Sequence, residues 1–426
     1  MEATDYEGWK AEQLSNQWVT LILVPKLGGR LMQVTFAGHS YLFVNPRYKG
    51  KYFPPSSNLP QGRWYNYGGD KLWPLPEGTE DDHHWPGPRA DLLDDGEFSL
   101  QVLSQAPRCA VRLTGPADPW TGLQYTRDIN IGSDSPEIWF HAVMKNATGH
   151  PIEWSMESVS QYDTADPKSP GQYNHDFWAF TPANPHSGYP DGYRVESGLA
   201  DPRSFGLRDG PIFSLHWTYL ENELWVDSPG DWLAVVNHSS GYAMVEQFHI
   251  REGANYPGKA SVIFYVNGPS LELDEHGMPR MTSAKPEDTP YYMEAEIISP
   301  PVRLAPGETY AMDTHWFPAR VASTFRSVTD AALVSEPLTA QLDANGVHLS
   351  GTFGVFFPGR LVAHIYDADG AETDVISMQD VNPAQLVSLN QNIRAPRASW
   401  RTSVHLEDQH GVDRGSLGEA RLTKSM

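Results

Sequence analysis

Short segments that end at glycine or proline are the feature that most limits how this chain can fold. The sequence contains 36 Gly and 35 Pro among its 426 residues. Together they make up about 17% of the chain, well above the usual share of about 12%. Between these breaks lie runs such as residues 19–24 and 31–36, which are apolar throughout or alternate apolar with polar positions. This pattern, together with 14 Trp, 19 Tyr and 16 Phe, is typical of short β-strands. We therefore predict an all-β protein.

Charge and hydropathy exclude several classes of protein. The formal net charge is −22, which argues against a nucleic-acid partner because such proteins neutralise phosphates with Lys and Arg. No apolar run approaches the roughly 18–20 residues that a membrane span needs, so we predict no membrane partner. Residues 1–13 lack the pattern of a signal peptide. A soluble chain is predicted, either cytoplasmic or the mature form of an exported protein, and the compartment stays open.

Two long irregular stretches, at about residues 45–95 and 164–210, interrupt the strands. Both are rich in Pro, Gly and aromatic residues. Long loops without regular structure are uncommon in compact domains and tend to carry function. We expect the functional site to draw on these two stretches.

The spacing of turn residues changes toward the end of the chain. Residues 1–320 form the expected large β-domain, and residues 321–335 contain an amphipathic pattern that predicts a short helical linker. Beyond them, residues 336–426 carry turn signals every 8–12 residues, for example at 357–359 and 367–370. That spacing predicts a small immunoglobulin-like β-sandwich of about seven strands.

The segment from Tyr292 to Ile298 is the sharpest local feature. Alternation along a strand places Glu294 and Glu296 on one face and Met293, Ala295 and Ile297 on the other. Two carboxylates in an apolar context are costly unless they meet water, a cation or a substrate. They are suited to general acid–base work, because neighbouring like charges favour one protonated member. A solvated polar face of an antiparallel sheet is the alternative.

Five motifs follow one another over residues 15–318. They are Pro-x-x-Gly-Gly-Arg at 25–30, Gly-Gly-Asp-Lys-x-Trp-Pro at 68–74, Tyr-Pro at 256–257, Glu-x-Glu at 294–296 and Pro-Gly-Glu at 306–308. In this order they resemble the galactose mutarotase-like superfamily, and most closely an uncharacterised bacterial family of that fold. The resemblance implies a β-supersandwich over residues 1–320 and does not cover the carboxy-terminal sandwich.

The resemblance also implies a reaction. In aldose 1-epimerases a Glu takes the proton from the anomeric hydroxyl while a His protonates the ring oxygen. Glu294 matches the base position best, and Glu296 is the second choice. The family's His has no counterpart in residues 158–163, where the matching strand ends. His175, in a later Asn-His-Asp-Phe-Trp segment, is then the candidate acid, with a loop histidine as the alternative.

Several further residues are candidates for binding a mono- or oligosaccharide. Trp64 and Trp73 can stack on pyranose rings, and the neighbouring Asp70 and Lys71 can bind hydroxyl groups. The alternative is an aromatic hairpin corner with a surface ion pair. The remaining candidates are Arg30, Gln161 and His249. For Arg30 a strand-edge ion pair is the alternative, and for His249 a buried core position.

The overall prediction is a carbohydrate-active protein, most nearly an aldose 1-epimerase. A glycoside hydrolase or polysaccharide lyase on the same fold and a non-catalytic glycan-binding protein are the alternatives. No cofactor is predicted. The run Asp81-Asp82-His83-His84 suggests metal ligation, but adjacent residues of an extended loop point apart, so we predict no metal site. The sequence does not predict the oligomeric state or the sugar.

Overall fold

The computed structural model describes residues 1–55, 63–78, 83–88, 92–169, 171–198, 203–208, 210–343, 346–394 and 399–424. It is almost entirely β, with 56% of residues in strands and 2% in helices. The predicted all-β class is therefore confirmed. Within the described ranges, no helix has both the length and the apolar character needed to cross a membrane.

The elements of the first half of the chain are β1 (Glu2–Tyr6), β2 (Trp9–Ser15), β3 (Val19–Val24), β4 (Arg30–Phe36), β5 (His39–Ser40), β6 (Asp70–Leu75), α1 (Leu92–Asp95), β7 (Ser99–Ser104), β8 (Arg108–Thr114), β9 (Leu123–Gly132), β10 (Ile138–Asn146), β11 (Ile152–Asp163), β12 (Phe177–Pro182), β13 (Tyr193–Gly198), β14 (Phe205–Arg208) and β15 (Ile212–His216). Those of the second half are β16 (Asn222–Val226), β17 (Trp232–Asn237), β18 (Tyr242–Phe248), a 3₁₀ turn (Pro257–Lys259), β19 (Val262–Val266), β20 (Leu271–Leu273), β21 (Pro279–Met281), β22 (Tyr292–Ile298), β23 (Val302–Leu304), β24 (Thr309–Arg320), β25 (Ser327–Val328), β26 (Ala332–Asp343), β27 (Gly346–Val355), β28 (Gly359–Tyr366), β29 (Glu372–Val381), β30 (Val387–Ile393), β31 (Arg401–Asp408) and β32 (Asp413–Lys424).

These strands form two large sheets and two smaller ones. The twelve-stranded sheet has the order β1-β2-β3-β4-β6-β11-β22-β19-β16-β13, with β5 beside β4 and β23 beside β11. The ten-stranded sheet has the order β14-β15-β12-β17-β18-β24-β10-β9-β8-β7. Strands β20 and β21 form a hairpin of their own. The eight-stranded sheet has the order β29-β28-β31-β32-β26-β27-β30, with β25 beside β26, and its β26 and β32 run parallel.

The chain divides into two compact units. The first comprises Met1–Ser133, Ile138–Val235 and Glu246–Trp316, and the second comprises Asp134–Glu137, Val236–Val245 and Phe317–Met426. The eight-stranded sheet belongs to the second unit, where the predicted immunoglobulin-like sandwich over residues 336–426 stays a prediction. Its core contains Phe353, Leu361, Ile365 and Leu406, each without exposed surface.

The predicted helix within residues 321–335 is wrong. Val328 of β25 pairs with Leu333 of β26, and the chain turns between them. The Thr329 hydroxyl accepts from the amide of Ala332 at 3.1 Å, which fixes the turn. A short amphipathic run also fits two strands joined by a turn, and here the fully buried Leu333 favours the strand pairing.

The first Gly-Gly motif is required by close backbone packing. Gly28 has a φ of +63°, and a Cβ there would lie 2.0 Å from the carbonyl oxygen of Asp94. Gly68, in the second motif, has a φ of +96° and would place a Cβ 2.1 Å from the carbonyl oxygen of Phe43. Only glycine fits both the backbone conformation and the space. Gly69, beside Gly68, would place a Cβ 2.7 Å from the carbonyl oxygen of Leu31, so this motif lets β6 lie close against β4.

Candidate functional site

A cavity of about 560 Å³ lies over the central strands of the twelve-stranded sheet. Its lining combines carboxylates with large rings. The carboxylates are Glu77, Glu157, Glu196, Glu223, Glu294 and Glu296, and the rings are Trp64, Trp73, Trp225 and Tyr265. The long stretch at 45–95, which was expected to contribute to the site, supplies Trp64, Trp73 and Glu77.

Strand register explains why these side chains share one face. Glu294 of β22 lies opposite Gln161 of β11 on one side and opposite Tyr265 of β19 on the other. Tyr265 in turn lies opposite Glu223 of β16. Directly opposed residues of an antiparallel pair project to the same face. These four polar side chains therefore form a row that crosses four neighbouring strands. A second row contains Glu296, Ile263 and Trp225.

Glu294 is held by two donors. Its Oε1 accepts from Lys71 Nζ at 3.2 Å and from Gln161 Nε2 at 2.6 Å. Burial lowers the pKa of Lys71, and the charge of Glu294 opposes that effect. The Lys71 Nζ also lies 4.3 Å from the centre of the Trp73 ring. A cation and an amide that both donate to one oxygen fix the orientation of the carboxylate.

Glu157 and Glu296 form a carboxyl pair. Burial raises the pKa of Glu157 to about 8, its hydrogen bond with Glu296 lowers it, and the charges of Glu77 and Glu294 raise it further. Burial and the charge of Glu157 raise the pKa of Glu296 well above its ordinary value. A hydrogen bond between two carboxyl groups requires a proton on one of them. The pair therefore holds a proton at neutral pH.

Glu223 and Tyr265 complete the polar row. Burial raises the pKa of Glu223, while a hydrogen bond from Trp225 Nε1 at 2.6 Å lowers it. Burial and the charge of Glu294 raise the pKa of Tyr265. Tyr265 therefore stays a neutral phenol that can donate a hydrogen bond to a ligand in the cavity.

Six residues predicted from the sequence come together here. Glu294, Glu296, Trp64 and Trp73 line the cavity. Lys71 and Gln161 lie behind it as the partners of Glu294. Trp64 and Trp73 stand edge to face with their ring centres 6.0 Å apart, and Trp73 Nε1 donates to Asp94 at 2.9 Å.

Asp70 is not part of this group, because neighbouring strand residues point to opposite faces. Its side chain has no exposed surface, forms an ion pair with Arg127 and accepts from Ser160 Oγ at 3.0 Å. The prediction that Asp70 and Lys71 act together on sugar hydroxyls is therefore wrong. Asp70 belongs to the interior and Lys71 to the cavity side.

Arg30 also lies away from the cavity. It has no exposed surface, its Nη2 lies 2.6 Å from Asp94 Oδ1, and its Nη1 donates to the carbonyl of Gly68 at 3.2 Å. The expected contact with substrate is replaced by a buried ion pair with Asp94 and by the hydrogen bond to Gly68, which joins the two Gly-Gly motifs. The predicted alternative, an ion pair at a strand edge, agrees better with the structure, although Arg30 is buried.

The two predicted histidines are exposed and line no part of the cavity. The His175 ring is tilted by 50° against the Tyr173 ring, with the ring centres 4.1 Å apart, and the backbone carbonyl oxygen of His175 lies 2.8 Å from His216 Nε2. The side chain of His249 is 92% exposed, with Asp231 at 4.0 Å. His249 is therefore neither a cavity residue nor the core histidine of the alternative. The acid partner that the resemblance implies for Glu294 is therefore neither of these two histidines.

The structure describes only part of the candidate metal ligands at 81–84. Asp81 and Asp82 lie outside the described residues. His83 and His84 line a separate cavity of about 720 Å³ with Trp120, His150 and Arg303. Within the described part of the chain, no group of three or more His, Cys, Asp or Glu side chains is arranged to hold a metal ion.

Sequence reasoning missed most of the carboxylates and two of the rings, namely Glu77, Glu157, Glu196, Glu223, Trp225 and Tyr265. Alternation within β11 would have placed Glu157 on the same face as Gln161, and alternation within β16 would have paired Glu223 with Trp225. Nothing in the local pattern indicates that these strands adjoin β22.

No protein-family model and no curated protein sequence matches this chain. Among solved structures, a candidate aldose 1-epimerase from Klebsiella pneumoniae is 14% identical with a TM-score of 0.47, over 76% of this chain and 82% of the other. A galactose mutarotase-like protein from Lactobacillus casei is 10% identical with a TM-score of 0.42, over 72% and 99%.

A TPR-domain containing protein from Parabacteroides distasonis is 14% identical with a TM-score of 0.46, over 73% of this chain. The match spans about half of that longer protein, 47% of its length. At these identities and TM-scores the similarities assign no activity or substrate. The chain is similar, over about three quarters of its length, to galactose mutarotase-like proteins, the superfamily that its sequence motifs resemble.

Proposed function

We propose that the cavity binds a saccharide and interconverts its anomers. Glu294 is the general base, and the Glu157–Glu296 pair is the general acid. The observation that carries this proposal is the presence on one sheet face of a carboxylate held by Lys71 and Gln161 beside a carboxyl pair that holds a proton. Base and acid with separated proton affinities are what ring opening requires.

The proton transfers balance over the cycle. Glu294 accepts the proton of the anomeric hydroxyl while the carboxyl pair donates a proton to the ring oxygen. The bond from the anomeric carbon to the ring oxygen breaks, and the anomeric carbon becomes a carbonyl. Rotation about the neighbouring carbon–carbon bond presents the other carbonyl face, and closure returns both protons. Each positioned acid or base contributes about 10²–10⁴-fold to the rate.

The rings supply the surface for the sugar. Trp64 and Trp73 stand at one side of the cavity and Trp225 at another. Aromatic faces suit the apolar faces of pyranose rings, while the phenol of Tyr265 can bind a hydroxyl. This arrangement supports a mono- or oligosaccharide as the ligand.

Glycoside hydrolysis is the second candidate, favoured by the presence of several carboxyl groups in one cavity. Glu294 and Glu296 stand two residues apart on β22 and line the same cavity. Glycosidases use two carboxyl groups that flank the bond they cleave. The reaction product separates the two candidates, because hydrolysis releases a new reducing end and epimerisation does not.

NMR saturation transfer between the anomers of common aldoses tests the proposal. We expect wild-type protein to accelerate exchange of at least one sugar, and Glu294→Gln to lose about 10²–10⁴-fold of that acceleration. Glu272→Gln, a change at an exposed position of β20, is the matched control and should behave as wild type. The absence of exchange with every sugar would overturn the epimerase.

Three further readouts use the same protein samples. New reducing ends from glycosides would establish the hydrolase, and unsaturated products from polysaccharides would establish a lyase. Sugar binding that Glu294→Gln leaves intact, with none of these reactions, would establish a non-catalytic glycan-binding protein.

A further inference from the structure

The cavity contains an excess of negative charge. Among the described residues that line it, six are Glu and none is Lys or Arg. Glu294 has Lys71 as its partner, and Glu196 has Arg194 at 2.7 Å. Glu157 and Glu296 bond to one another, and Glu223 accepts from a neutral indole. Within the described part of the chain, these three carboxyl groups thus meet other carboxyl groups or a ring rather than a cation.

This arrangement has an electrostatic cost in the empty cavity. Burial and then neighbouring carboxylates raise the pKa of Glu157 and of Glu296, and Glu196 and Glu294 act in the same way on Glu223. Buried like charges are unfavourable unless a counter-charge arrives or protons bind. A ligand that carried its own positive charge would remove this cost, whereas a neutral ligand would leave it in place.

The aromatic walls already bind cations of the protein itself. Lys71 Nζ lies 4.3 Å from the centre of the Trp73 ring, and the Arg194 guanidinium lies 4.6 Å from that of Trp225. Attraction between a cation and the face of a Trp ring strengthens as water is excluded. These contacts place cations against two of the cavity's indole rings, and the unbalanced carboxyl groups remain the main evidence for a charged ligand.

We propose that the saccharide is an amino sugar, whose ammonium group lies beside Glu223 and against Trp225. This inference rests on the proposed function, because it names the substrate class of the same site. The ring of the sugar occupies the space between Trp64 and Tyr265, the ammonium pairs with Glu223, and the Glu157–Glu296 pair keeps the proton that the proposed reaction uses. Recognition then combines charge pairing with stacking, which a neutral sugar cannot reproduce.

Isothermal titration of wild-type protein at pH 6.5 tests the proposal. The ligands are glucosamine and galactosamine, their N-acetylated forms, glucose and galactose, and ethanolamine as an ammonium without a ring. We expect the amino sugars to bind about tenfold more tightly than the acetylated and neutral sugars, which differ in lacking the charge. Equal or tighter binding of the uncharged sugars would overturn the inference. This comparison requires no variant.

Glu223→Gln sharpens the result, because it removes one negative charge with little change of shape. The preference for amino over acetylated sugar should fall several-fold, while Glu272→Gln should retain it. An unchanged preference in Glu223→Gln would contradict the assigned position of the ammonium.

The two proposals fail in distinguishable ways. Anomer exchange of neutral sugars without preference for amines would overturn the inference and leave the proposed function standing. Preferential binding of amino sugars without any exchange would support the substrate class and overturn the epimerase. If ethanolamine bound as tightly as glucosamine, the sugar ring would contribute nothing to binding, and both proposals would be overturned.

Discussion

The two faces of the strands around β6 and β11 treat charge differently. On the interior face, Asp70 is paired with Arg127 and accepts from Ser160. On the cavity face, Glu157 and Glu296 meet one another, and one residue along β6 from Asp70, Lys71 is the cation that serves Glu294. Buried charge alone therefore does not distinguish the proposed site. Its distinguishing feature is a group of carboxyls, three of which no described cation balances.

The interior face also contains a neutralised carboxyl group. Glu246 has no exposed surface, and burial raises its pKa to about 8. Tyr162 donates its phenolic hydrogen to Glu246. Pairing and protonation thus both occur in the interior, where no ligand can reach. In the cavity, the same raised pKa values are accompanied by open volume and aromatic walls.

The largest effect is expected from breaking the interior ion pair. Arg127→Met leaves Asp70 buried without its cation, and loss of one partner of such a pair costs about 3–5 kcal/mol of the free energy of unfolding. Urea denaturation followed by tryptophan fluorescence measures it. Lys10→Met, which removes an exposed partner of Asp5, is the control and should cost less than about 1 kcal/mol. Equal costs would contradict the comparison.

Removal of the Lys71 cation on the cavity face should affect activity more than stability. Lys71→Met removes one of the two donors that hold Glu294 Oε1. We expect about a 10²-fold loss of anomer exchange, because the proposed base loses its fixed orientation. Anomer exchange and the unfolding temperature, measured on the same samples, check this. A fall in unfolding temperature that accounts for the whole loss of exchange would show that Lys71 has a structural role only.

Glu157→Gln should flatten the dependence of stability on pH. The raised pKa of Glu157, about 8, means that the folded protein holds a proton that the unfolded chain releases near pH 4.5. The contribution of Glu157 to the free energy of unfolding of the wild-type protein therefore falls as pH rises from about 4.5 to 8. We expect the variant to unfold at a higher temperature than wild type at pH 8.5 and to lose that advantage near pH 4.5.

Differential scanning calorimetry across this pH range measures the difference. Asp163, whose pKa burial raises to about 6, and Glu246 contribute the same slope to both proteins, so the comparison isolates Glu157 and its neighbours Glu77, Glu223, Glu294 and Glu296. Parallel curves for the two proteins would contradict the proton-holding pair.

The smallest effect is expected from a change at Trp225, one of the rings that line the cavity. Trp225→Phe retains an aromatic face but loses the indole donor to Glu223. We expect amino-sugar affinity to fall by about three- to tenfold, with little change in unfolding temperature. Isothermal titration measures the affinity. A loss that is the same for acetylated sugars would assign Trp225 to stacking alone.

Much of the fold and part of the site could be predicted from local patterns. Alternation along β22 correctly separated Glu294 and Glu296 from the buried Met293 and Ile297. The same rule, applied to adjacent residues, would have separated Asp70 from Lys71. The assignment of Arg30 to substrate failed because a Gly-Gly-Arg motif does not reveal that Asp94 lies behind it.

The sequence by itself determined the strands, since side-chain alternation and turn residues act between neighbours in the chain. The tertiary structure alone decided which strands lie side by side. Lys71 and Glu294 are 223 residues apart, and only the closing of β6 onto β11 and of β11 onto β22 brings them together. The cavity depends on such long-range pairing. It follows that the proposed base, Glu294, could be read from one strand, whereas its proposed acid, its cation and the charge balance around it could not.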